Sequence, residues 1–157
     1  MEILTLLSAP ILVVLMAAVH AYAPPEYKIH GVIAVAFMVL LAGLTSSVHF
    51  VELTAVRQSA TASLTWPSTA YALELLAWDL FLGLSLLFAA PVFTAGKLEG
   101  AVRTGLYVAG TLCLVGLLGP TSGEMRLQFI AVVGYAGVLP TVCLLLAMVF
   151  RHSRQPR

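Results

Sequence analysis

Charge is what this chain has least of. Among 157 residues there are eight Lys or Arg and seven Asp or Glu, 10% of the total, against 61% hydrophobic residues. A soluble domain carries about 25% charged residues because its surface must face water. A shortage of this size excludes a water-covered globule and puts lipid against the outer surface. The net charge of +1 lacks the basic footprint of a nucleic-acid binder, so no nucleic-acid partner is expected. Cysteine is nearly absent. Cys113 and Cys143 both lie inside apolar runs, which reads as two free thiols rather than a disulfide framework. Also missing are a phosphate-cradling glycine loop, a nucleophile elbow, and the Cys-Xaa-Xaa-Cys or His-Glu-Xaa-Xaa-His spacings of metal and haem sites. No metal site is expected. No linker, low-complexity tract or internal repeat divides the chain, so 1–157 reads as a single polytopic domain. Met1-Glu2-Ile3 places no basic stretch before the first apolar run, which argues for a retained helix rather than a cleaved signal peptide.

What is abundant is long apolar runs. A membrane-spanning helix needs about 20 predominantly apolar residues. Five stretches qualify: Ile3 to Tyr22, Ile29 to Val51, Ser68 to Ala90, Ala101 to Gly119 and Leu127 to Phe150. Proline cannot continue the helical hydrogen-bond ladder, and Pro24-Pro25, Pro67, Pro91 and Pro120 punctuate the intervals. Residues 53–66 extend the second helix beyond the bilayer or lie along its interface. The expected fold is an all-α integral membrane protein, a compact bundle of about five transmembrane helices.

Five crossings put the two termini on opposite sides. Arg57 and Arg126 fall on the N-terminal side, and Lys28, Lys97, Arg103, Arg151, Arg154 and Arg157 on the other. Positively charged residues stay inside, which predicts an N-terminus outside and a C-terminus in the cytoplasm. The expected location is a plasma membrane, the inner one for a bacterial source. Small residues mark close helix contacts in lipid. Gly105, Ala109, Cys113 and Gly116 share one face of the fourth helix, Gly134 and Gly137 one face of the fifth, and Pro140 predicts a kink there.

The remaining polar residues concentrate at one end of the bundle. On the second helix Thr45, His49 and Glu52 lie within about 60° of one another. On the third, Tyr71, Glu74, Trp78, Phe81 and Ser85 form one stripe, while Asp79 points about 140° away from Glu74. The third helix thus offers carboxyls to two different neighbours. If its stripe faces the second helix, then His49, Glu52, Glu74 and Trp78 share a pocket. A charged side chain at the bilayer centre costs about 2.5–3.5 kcal/mol and is normally paired, neutral or functional. Asp79 is expected either to pair with Arg126 or Arg57, or to stand as a neutral, ligand-facing acid.

The candidate ligand-binding residues are therefore His49, Glu52, Glu74, Trp78, Asp79 and Arg126. The expected function is a polar pocket in the outer half of the bilayer that binds a lipid, a quinone or another lipophilic small molecule. Two alternatives stand beside it. One is an accessory, non-catalytic subunit of a larger membrane complex, with the carboxyls turned to a membrane-protein partner or to a second copy of the chain. The other is an intramembrane enzyme using the buried carboxyls on a lipophilic substrate. No particular cofactor is indicated.

Overall fold

The computed structural model of the chain describes residues 2–59 and 64–153. Residues 60–63 of the second connection and Arg154 and Arg157 of the basic tail lie outside them. The described residues form an all-helical bundle. Five helices are long and apolar enough to cross a membrane: α1 (Glu2–Tyr22), α2 (Pro25–Val56), α3 (Thr69–Val92), α4 (Gly96–Ser122) and α5 (Met125–Ser153). Each packs along the next in chain order. Large apolar side chains such as Ile3, Leu7, Ile11, Phe129 and Leu144 cover the outside, as they must where the solvent is hydrocarbon.

α3 is the central helix. Of its most apolar stretch 56% is buried, against 17–33% for the other four. Leu82, Leu86 and Ala89 of α3 meet Met16 and Val19 of α1, Met38 and Leu41 of α2, and Leu106 of α4 in one continuous core. Between α2 and α3 the contact is also polar, with Ser85 Oγ donating to the Ala34 carbonyl over 2.8 Å. Phe81 stacks on Phe37. The α3 stripe of Tyr71, Trp78, Phe81 and Ser85 therefore turns toward α2.

The helix ends differ from the expected boundaries for identifiable reasons. α4 begins at Gly96 rather than Ala101, since Glu99 Oε2 accepts the backbone N–H groups of Thr94 and Ala95 and closes its first turn. Pro120 does not stop α4. The helix is interrupted at Leu117, near where the missing proline N–H would have bonded, and resumes as Leu118–Ser122. It ends at Gly123, whose φ of 80° suits a residue without a Cβ. α2 runs past Val51 through a wide turn, Glu52–Val56, and continues helically over Arg57–Ser59. At the opposite end of the bundle, Lys28 Nζ donates to the His20 and Ala21 carbonyls, capping α1. Tyr22 Oη donates to Glu99 Oε1 over 2.7 Å.

α4 carries two faces of small residues. A Cβ at Gly105 would collide with Val142, and one at Gly116 with Ala131, so this face packs on α5. A Cβ at Gly110 would come within 2.8 Å of the Gly83 carbonyl oxygen, so a second face packs on α3. On α5, Gly134 touches the Ala109 backbone, whereas a Cβ at Gly137 would meet only Val133 of its own helix. Gly137 thus falls outside the helix contact expected for it. Cys113 and Cys143 are both free thiols.

Candidate functional site

Near the N-terminal end of α1, four helices leave a cleft of about 320 Å³ between them. Thr5 comes from α1, His49 from α2, Tyr71, Glu74, Leu75 and Trp78 from α3, and Gln128 and Tyr135 from α5, with Leu64 of the second connection completing the lining. Most of this wall is apolar or aromatic. The Trp78 and Tyr135 rings lie 5.5 Å apart, centroid to centroid.

The polar centre is Glu74. Thr45 Oγ1 donates to its carboxyl, lying 2.8 Å from one oxygen and 2.7 Å from the other. Trp78 Nε1 donates to Oε2 over 2.9 Å, one helical turn along α3, and lies 3.0 Å from Thr45 Oγ1. His49 Nε2 stands 3.4 Å from the same Oε2. The other ring nitrogen, Nδ1, bonds Glu2 at the start of α1. The histidine is thus held between two carboxyls, one partly exposed and the other in the cleft wall. This orients the imidazole as a second carboxyl orients a metal-bound or catalytic histidine.

Asp79 is placed differently. It is 0% exposed, and among the described residues neither carboxyl oxygen is within hydrogen-bonding geometry of a partner. It faces away from α2. Gln128 and Tyr135 of α5 and Cys113 of α4 are near enough to interact with it electrostatically. Gln128 and Tyr135 also line the cleft, so Asp79 stands directly behind that part of the wall. Neither arginine offered as its partner reaches it. The Arg126 side chain is 91% exposed and lies 4.0 Å from Glu124; Arg57 is also exposed.

Of the six candidates, His49, Glu74 and Trp78 come together in the cleft, Asp79 lies behind it, and Glu52 and Arg126 are not part of its wall. Glu52 sits one turn beyond His49, with Oε1 buried and without a hydrogen-bond partner among the described residues, where α2 widens. Helical spacing does not mark Glu2, Thr5, Gln128 and Tyr135 as ligand-binding residues. They lie on α1 and α5, and no periodicity within one helix reveals which face meets a helix distant in sequence. No group of three His, Cys, Asp or Glu side chains among the described residues is arranged to hold a metal ion.

Three helices widen to i→i+5 turns around this site. Glu52–Val56 of α2 follows His49 closely, Leu76–Phe81 of α3 carries Trp78 and Asp79, and Val133–Val138 of α5 carries Tyr135. Such turns occur frequently at functional sites because they re-aim side chains and loosen backbone hydrogen bonds. In α5 the cause is visible. Pro140 has no N–H for the Ala136 carbonyl and its ring crowds that turn; Leu139 N–H bonds back to Gly134 instead. No protein family, curated protein or solved structure matches the chain.

Proposed function

We propose that this is a multi-pass plasma-membrane protein whose cleft binds a lipophilic small molecule in the half of the bilayer away from the cytoplasm. The observation that carries the reading is the construction of the cleft. An apolar and aromatic wall surrounds one orienting polar group, Glu74, fixed by Thr45, Trp78 and His49. Pockets for small organic ligands have this character, mostly apolar with few and well-placed polar groups, in volumes of about 300–1,000 Å³. The orientation rests on the basic residues: Lys28, Lys97, Arg103 and Arg151 gather at the end opposite the cleft, and such residues favour the cytoplasmic side.

The inward direction of the carboxyls favours a pocket over a subunit interface built on them. Asp79 has no exposed surface, and both Glu74 oxygens are engaged within the chain. The test is extraction of the protein purified in a mild maltoside detergent, followed by mass spectrometry. A lipophilic compound at near-stoichiometric amount is expected with the natural sequence and should be depleted at least tenfold in Trp78→Ala. Identical extracts from the two would overturn the reading, and a stoichiometric partner chain would replace it with the subunit alternative.

A further inference from the structure

We propose that the cleft selects its ligand by charge, and that the ligand is a lipophilic cation: an amine or quaternary ammonium on an apolar body. This rests on the reading of the cleft as a binding site and narrows the chemistry of its occupant.

The sign of the surrounding charge is the first ground. In and behind the wall stand the carboxyls of Glu74, Glu2 and Asp79, with the imidazole of His49 as the one basic group lining the cleft among the described residues. No lysine or arginine is part of that lining. The two arginines of this end, Arg57 and Arg126, are exposed on the outside. Charges held within protein and lipid are screened far less than charges in water, so an anion entering the cleft would meet repulsion that salt does not remove.

The aromatic surface is the second ground. Tyr71, Trp78 and Tyr135 all line the cleft. Their ring faces are electron-rich and attract a cation held against them, Trp most strongly. Trp78 combines this with a hydrogen bond to Glu74, which places a carboxyl at the edge of the same aromatic wall. Carboxyl and ring faces together suit an ammonium group better than a neutral carbonyl compound, which would use the rings and leave the acidic excess unanswered.

Asp79 is the third ground. A fully buried carboxyl without a cationic partner is a costly arrangement, and the fold supplies none for it among the described residues; the polar group beside it is the side-chain amide of Gln128. Gln128 and Tyr135, which interact with it, also line the cleft. A cation bound against them provides the opposite charge that the chain lacks there.

The experiment uses the full-length protein in a neutral maltoside detergent, with Trp66→Phe leaving Trp78 as the single tryptophan. Three soluble probes share one benzene ring and differ in charge: benzyltrimethylammonium, benzyl alcohol and benzoate. Expected is a saturable change in Trp78 emission with benzyltrimethylammonium, at a Kd at least tenfold below that of benzyl alcohol, and no saturable change with benzoate. Glu74→Gln should raise the Kd for the ammonium at least tenfold and by clearly more than it raises that for the alcohol. The three-probe series decides the question without the Glu74 variant, should that variant not fold. A preference of less than tenfold for the ammonium, or tighter binding of benzoate, overturns charge selection and leaves the pocket reading intact. Silence with all three probes also overturns it, and the pocket then stands or falls on the extracted ligand alone.

Discussion

His49 is hydrogen bonded to Glu2 on one side and stands beside the Glu74 carboxyl on the other, and the two contacts join α1, α2 and α3 at one point. The surrounding contacts are unequal in strength. Hydrogen bonds between membrane helices contribute about 0.6 kcal/mol on average, so Thr45→Val should lower stability by about that amount. Glu74→Leu is expected to cost more, about 1–3 kcal/mol, because it removes the acceptor of the Thr45 hydroxyl, one of the two acceptors of Trp78 Nε1 and the carboxyl beside His49 Nε2. Thermal unfolding of the two variants in the same detergent compares them; equal losses would mean that Glu74 is not the hub. Asp79 and Arg126 should behave as strangers. Arg126 is exposed and directed to Glu124, so Asp79→Asn and Arg126→Gln should add within about 0.3–0.5 kcal/mol. A double variant clearly more stable than that sum would place the arginine on the carboxyl after all.

Along α4, small residues serve two neighbours rather than one. Gly116 meets Ala131 of α5, and Gly110 meets Gly83 and Leu87 of α3. Both Gly116→Leu and Gly110→Leu should therefore reduce the yield of folded protein, at about 1–3 kcal/mol for overpacking. Gly43→Leu on α2 should be tolerated, since a Cβ there meets nothing within 4 Å. Fluorescence-detected size exclusion reads all three, and a monodisperse peak for Gly110→Leu would show that α3 and α4 can separate. The element scale is also where sequence reading reaches its limit. Hydropathy and length locate five spans because lipid demands them. The spacing of Tyr71, Glu74 and Trp78 locates one wall of the cleft, and the angle between Glu74 and Asp79 sends the two acids to different neighbours. Tyr135 and Gln128 escape that reading because their facing depends on how α5 closes against α3. Glu52 escapes it because α2 abandons the regular period where Glu52 begins a wide turn, and Gly110 because its contact is with a glycine that carries no pattern of its own.

At the scale of the whole molecule, the proposed orientation has a direct check. Ser122→Cys, in a Cys113→Ala, Cys143→Ala background, should react in intact cells with a membrane-impermeant maleimide, while a reporter fused after Arg157 should be active only in the cytoplasm. Labelling of residue 122 only after the membrane is broken would reverse the orientation. The central position of α3 then bears on how the protein is made. A chain entering the membrane in order presents α1 and α2 first, and among the described residues these hold the partners of Glu74 outside α3 itself: His49, with Glu2 behind it, and Thr45. Glu74 is provided for on arrival. Asp79 is not, because Cys113, Gln128 and Tyr135 lie on α4 and α5, still to be synthesised. Until they come, α3 carries an acid against lipid at an insertion cost of about 2.5–3.5 kcal/mol. A nascent chain ending at Val92 should therefore insert its third helix poorly and be rescued by Asp79→Leu, whereas the complete chain should gain little insertion from the same change. An acid that the finished bundle hides completely is the one that makes its own helix wait for α4 and α5.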